Sequence, residues 1–313
     1  MKRILRRLSQ LVKPAWPRIA VVGSCQAHSI GGIAQAMLPN ASIKAWHVDV
    51  WPIETQDEIL AQMSGFDLII SQVSDLDPHD KLWSGSLRQT GVPVIHMPMV
   101  GFTGFQPDIT YIFGPEGPVR GVGSDYHSIL VATAFALGVP EHRVPMLFNT
   151  YVFAELGYLE VFQPAKAALL ESYAAVGFDI AGQFEQWLRE CGAFMYSVNH
   201  PHIHVLKTLT RMVLHRAGYV AADAPLPDGV EDYLGTAFRV PVFPPIALRV
   251  GVAGSTTYSL SRHDVEHGAN RDLALHDFAA ASYRLYEGVD RELLLATGGV
   301  AEARRRLDPL IVR

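Results

Sequence analysis

Cysteine is close to absent. The 313-residue chain has two, Cys25 and Cys191, far apart and in unlike settings. That is too few for a disulfide framework, and neither shows the CxxC spacing of a structural zinc site, so both read as free thiols. Long apolar runs are missing as well: no window of about 18 uninterrupted apolar residues reads as a membrane span. Charged residues make up only 18% of the chain, and there is no low-complexity tract or fixed-period repeat. What is present is 49% hydrophobic, enough for one large core or two modest ones in an ordinary globular protein.

Charge is unevenly spread. Lys2, Arg3, Arg6, Arg7, Lys13 and Arg18 meet no acid in the first 18 residues, whereas the whole chain carries a net −5, so the body is acidic. An acidic body argues against a nucleic-acid partner. The leader, residues 1–17, lacks the apolar segment and cleavage site of a signal peptide, which fits a cytoplasmic protein. Its Ile4, Leu5, Leu8, Leu11 and Val12 recur at helical spacing opposite the basic residues. That pattern suits peripheral contact with an anionic inner membrane or an acidic protein, and equally a solvated leader helix.

Residues 18–100 alternate between two kinds of pattern. RIAVVG, SIKAWHV, DLIISQ and VPVIHMP read as strands, and AHSIGGIAQAML, TQDEILAQMSG and DKLWSGSLRQTG as the helices between them. Near-continuous apolar strands alternating with helices predict an α/β fold, an open parallel sheet covered by helices on both faces. Residues 101–125, rich in glycine and proline yet carrying Phe102, Phe105, Tyr111, Ile112 and Phe113, read as the wall or lid of a pocket. From 126 to about 217 the pattern is helical, broken by an extended stretch at FMYSVN (194–199). Beyond 220 a proline-rich turn and GSTTYSLSRHD precede a final helical pair. No clean linker separates an independent domain, so residues 18–313 read as one elaborated α/β domain with a helical insertion.

Chemistry concentrates first in GSCQAHSIGG. If Gly23 ends the first strand and a helix starts at Ala27, Cys25 sits at a helix N-terminus beyond the carboxyl end of a strand, where open parallel sheets bind ligands. The helix dipole there favours thiolate, and the free amides suit a phosphate or an oxyanion. The alternative is a compact residue in a tight turn. A second set is SVNHPHIHVLK. Pro201 pushes His200 out of helical geometry and fits a first helical turn, leaving His200 at a loop–helix junction suited to a general base, or merely capping and packing. His200 and His204 match half of a metal motif, but no glutamate or third ligand follows, so no metal is expected. Ser71 and Gln72 end the third strand. Ser74, Asp75, Asp77, His79 and Asp80 follow as turn and cap residues, and His96 and Met97 end the fourth strand. Lys207 and Arg211, at i and i+4, could meet phosphates or simply be a solvated face, as could Arg120 and Arg143.

Gly23-Ser24-Cys25 with His200-Pro201 far downstream resembles the motif plan of the SGNH esterases and acetyltransferases. Cysteine replaces the serine, and Ser197 stands where that family has its acid. Gly23-Ser24-Cys25-Gln26 after a first strand, with Asn199-His200-Pro201 before a helix, is closer still to the WcbI-like polysaccharide biosynthesis family, over about residues 18–220. That resemblance implies coenzyme A or acetyl-CoA as substrate, and O-acetylation of a sugar of a bacterial capsular or surface polysaccharide. It would place the leader near capsule assembly proteins. His200 would then be the base, and Cys25 an acyl carrier or part of an oxyanion site with Ser24 and Gln26 as donors. Gly23, Ser24, Cys25, Gln26, His28, Ser71, Gln72, Lys207 and Arg211 would bind the coenzyme. Two other readings remain: an SGNH-type esterase using Cys25 or Ser24 with His200, and a noncatalytic scaffold that binds coenzyme A or sugar.

Overall fold

Four apolar runs form one sheet. In the computed structural model, which describes residues 16–48, 56–73, 86–263, 265 and 270–311, they are β1 (Arg18–Gly23), β2 (Ser42–His47), β3 (Leu68–Ser71) and β4 (Val94–His96). The order is β2-β1-β3-β4 and every pairing is parallel, with Ile19 opposite both Ile43 and Leu68, and Ile69 opposite Val94. Parallel neighbours require crossovers. Helices α1 (Ala27–Met37) and α2 (Gln56–Met63) provide the first two. Residues 20 and 22 of β1 and 46 of β2 point to one face, where they pack with Ile59 and Met63 of α2. Residues 43 and 45 point to the other, where a Cβ on Gly31 of α1 would lie 3.0 Å from the Ala45 Cβ. Glycine lets α1 settle that close. The predicted α/β sheet with both faces covered is therefore what forms.

The described residues divide into two units that interleave along the sequence. Residues up to 99, 172–183 and 203–234 form the first unit, and 100–171, 184–202 and 235–313 the second. Downstream of the sheet the helices are α3 (Ile129–Ala136), α4 (Thr150–Glu155), α5 (Phe162–Ala175), α6 (Ala181–Cys191) and α7 (Ile203–Arg216). They continue with α8 (Pro244–Val250), α9 (Leu275–Tyr286), α10 (Arg291–Ala296) and α11 (Gly298–Ile311). Helix α7 belongs to the first unit and packs on α1. The expected final helical pair is in fact three helices preceded by a strand at Asp272–Ala274.

Part of the segment 101–125 is core of the second unit. Phe102 and Phe105 are fully buried in a ring cluster with Phe162, Phe184 and Phe194, at centroid separations of 5.0–5.7 Å from Phe102. Edge-to-face packing of this kind is what holds these two rings there. Of Phe102, Phe105, Tyr111, Ile112 and Phe113, the last alone stands well out, 63% exposed. The leader at 1–15 and the acidic loop at 74–80 lie outside the described residues. Among the described residues no helix is long and apolar enough to cross a membrane.

Candidate functional site

In the first unit the chain leaves β1 at Gly23 and enters α1 at Ala27 through one tight turn, closed by Ala27 N–H donating to the Ser24 carbonyl at 2.9 Å. Cys25 is half-buried in this turn, directly ahead of the helix, as the sequence predicts; neither cysteine is in a disulfide. The turn is held from below by Gln72. Its carbonyl oxygen accepts from the Ser24 N–H at 3.2 Å and the Ser24 hydroxyl at 3.1 Å. Its amide nitrogen donates to Gln26 Oε1 at 3.0 Å. Gln26 and Gln72 are both buried, so these bonds form out of competition with water. Gly23 is required here: a Cβ would meet Gln72 Oε1 at 2.5 Å and Gln72 Cβ at 2.8 Å.

Beside Gln72 lies a cavity of about 410 Å³ at the carboxyl ends of β3 and β4. Ser71, Gln72, Arg88, His96, Met99 and Val176 are among its walls. The Ser71 hydroxyl donates to the Val73 carbonyl at 3.3 Å. His96 Nδ1 lies 3.1 Å from the same carbonyl, to which it can only donate. Arg88, the cavity's cation, escaped the sequence reading. It sits in an unremarkable helical stretch, SLRQ, and only the approach of β4 to β3 brings it to the strand ends.

The remaining expected coenzyme-binding residues are scattered. His28 is exposed on α1, and Lys207 is half-buried on α7. Arg211 lines a different cavity, of about 340 Å³, with Phe178, His215 and Arg216, and donates to the Ala224 carbonyl at 3.1 Å. The structure thus joins Ser24, Gln26, Ser71 and Gln72, but sets Arg211 in a cavity of its own.

In the second unit, Met195–Ser197 pairs antiparallel with His200–Pro201, and α7 begins only at Ile203. Pro201 is therefore not in the first helical turn as predicted; its fixed φ serves an extended bridge. Asn199 is clamped at this corner. It accepts from the Tyr126 hydroxyl through Oδ1 and donates through Nδ2 to the Tyr111 hydroxyl at 3.3 Å. The Ser197 hydroxyl donates to the Tyr126 oxygen at 3.2 Å. Ser197, at the position of a triad acid, thus serves Tyr126 and Asn199 rather than the imidazole. The His200 ring stands edge-on to Tyr126, 6.1 Å between centroids, and its Nδ1 is buried with no hydrogen-bond partner among the described residues. Burial pushes its pKa down to about 4, so the ring is neutral at pH 7. Cys191 lies 3.9 Å from His202 Nδ1 with its thiol pushed up by burial, which disfavours thiolate. No group of three or more metal-ligating side chains gathers among the described residues.

A family model for the polysaccharide biosynthesis enzyme WcbI matches residues 18–221, about two thirds of the chain. This chain belongs to the WcbI family. The match runs from β1 through α7 and so includes both the Gly23–Gln26 turn and the Asn199–Pro201 corner. The fold agrees: a solved WcbI structure superposes with a TM-score of 0.70 at 17% identity, covering 93% of this chain and 99% of that one. That structure is described as a novel polysaccharide biosynthesis enzyme, in a native form without a disulfide bond between coenzyme A and one of its cysteines. A search of curated proteins found no match.

Proposed function

We propose that this WcbI-family enzyme transfers an acyl group, acetyl in the simplest case, from coenzyme A to a hydroxyl of a polysaccharide precursor. The observation that carries the reading is the amide brace of Gln72, which fixes Ser24, Cys25 and Gln26 at the carboxyl end of a parallel strand beside a cavity that holds Arg88. Coenzyme A is anionic at one end and apolar along its arm. A cation and a largely aliphatic wall in one cavity suit both parts. The mention of coenzyme A with the WcbI neighbour supports the same ligand. Acyl transfer to a hydroxyl also asks for a neutral imidazole, whether it takes a proton or holds an oxyanion, and His200 is neutral. The SGNH-type triad loses support, because Ser197 has no carboxylate and its hydroxyl is engaged elsewhere.

Thermal melts with and without coenzyme A test the binding half. Ligand at about 100 times its dissociation constant adds about 2.7 kcal/mol, a shift of several degrees. The same shift in Cys25→Ala would place the thiol in chemistry rather than binding. No shift at millimolar coenzyme A, with turnover of simple aryl esters, would replace the transferase by an esterase.

A further inference from the structure

We infer that His200 works as a hydrogen-bond donor through Nε2–H, stabilising the oxyanion of the acyl-transfer step, and not as the base that takes the acceptor's proton. The inference rests on the acyltransferase reading above and assigns the role of one residue within it.

A histidine that removes a proton through Nε2 must carry its own proton on Nδ1, and enzymes hold it there with an acceptor, a carboxylate or a carbonyl. Among the described residues nothing of the kind is present at His200. Nδ1 is shut off from solvent and meets no acceptor among the described residues. The nearest side chain suited to the task by sequence position, Ser197, is turned into the tyrosine–asparagine network. The Asn199 amide, next along the chain, is likewise held by Tyr126 and Tyr111. A buried N–H with no acceptor is the rarer and costlier kind of unpaired group, and a buried lone pair the more tolerable. The proton therefore belongs on Nε2. His200 as a residue is only half-buried although its Nδ1 is fully covered.

A neutral imidazole with Nε2–H is a donor without a base's lone pair on that atom, and its low proton affinity keeps it from being protonated as negative charge develops opposite it. The step balances without a protein base. The acceptor hydroxyl oxygen attacks the thioester carbon, the carbonyl oxygen takes the charge and accepts from Nε2–H, and the C–S bond then breaks. The hydroxyl proton ends on the departing coenzyme A sulfur, giving ester and free thiol.

Two measurements decide it. In ¹⁵N-histidine-labelled protein at pH 7, the His200 resonances, assigned by their loss in His200→Gln, should show a protonated Nε2 and an unprotonated Nδ1. The reverse pattern overturns the inference even if the enzyme proves to be a transferase. Release of free thiol from acetyl-CoA, with water as acceptor, gives the second readout. His200→Ala should fall about 10²–10³-fold, the usual loss for one oxyanion donor. His200→Gln, whose amide N–H can stand where Nε2–H stood, should recover to within about tenfold of wild type. A glutamine variant as slow as the alanine variant, with coenzyme A binding intact in both, overturns the donor role alone. A wild-type protein that neither binds coenzyme A nor cleaves acetyl-CoA overturns the transferase reading, with the tautomer still read separately by ¹⁵N shifts.

Discussion

At the turn after β1, Gln72 uses both ends of its amide on partners that are themselves fixed by backbone: the Ser24 N–H and hydroxyl on one side, Gln26 on the other. At the corner before α7, Asn199 is bonded as completely by two tyrosines, yet the imidazole next to it is left with a buried nitrogen that has no partner among the described residues. At these two corners the buried amides are satisfied and the His200 imidazole, among the described residues, is not. Satisfied networks fix geometry, whereas an orphaned polar atom persists only where its surroundings over-determine it, often at a functional position. The contrast separates a braced binding turn from a ring whose tautomer is chosen by what it lacks.

The largest disruption to the comparison should come from the braced side. Gly23→Ala drives a methyl into Gln72, whose backbone is tied to Val22 by a 2.8 Å bond and cannot retreat. A loss of about 1–3 kcal/mol is expected in urea unfolding, as for overpacked cores, together with weaker coenzyme A binding. A variant of unchanged stability and affinity would mean that the brace is dispensable. A smaller effect is expected from Tyr126→Phe, which removes one hydroxyl from the Asn199 clamp. About 0.5–1.5 kcal/mol should be lost, with the backbone pairing of Ser197 and His200 preserved. Amide exchange at that corner would report the latter.

The third effect is a pH limb. Burial lowers His200 from 6.5 to about 4, so its contribution to stability is complete above pH 6.5 and is lost as pH falls through about 4. His200→Gln should flatten the stability curve in that window. Asp108 runs the other way. Buried beneath Leu130 N–H and the Tyr158 hydroxyl, its carboxyl is raised by desolvation from 3.8 to about 7. Its contribution is complete below pH 3.8 and is lost as pH rises through about 7, so Asp108→Asn should flatten the neutral side instead. Identical curves for the two variants would contradict this assignment of opposite signs.

Much of the architecture is legible without coordinates. The predicted strands RIAVVG, SIKAWHV, DLIISQ and VPVIHMP match β1 to β4 to within a residue or two, because an unbroken apolar run bounded by turns has few other places to go. Cys25 at the mouth of α1 follows from the same local logic, as does the extended stretch before His200. Pro201 was misread because a proline after an extended residue fits a first helical turn and a bridge equally well; the pairing with Met195 decided for the bridge.

The sequence by itself determined the parallel sheet, the turn that holds Cys25 and the histidine–proline corner, since strand periodicity and turn chemistry act over a few residues. Only the tertiary structure decided who meets them. Gln72 reaches Ser24 and Gln26 because the register of β1 against β3 sets Val22 opposite Ser71, a relation across nearly fifty residues. Arg88 comes to the cavity only through β4, and the Nδ1 of His200 is orphaned only because Ser197 and Asn199 are held by tyrosines more than seventy residues upstream. Contacts of that range depend on strand register and packing, which no local pattern encodes.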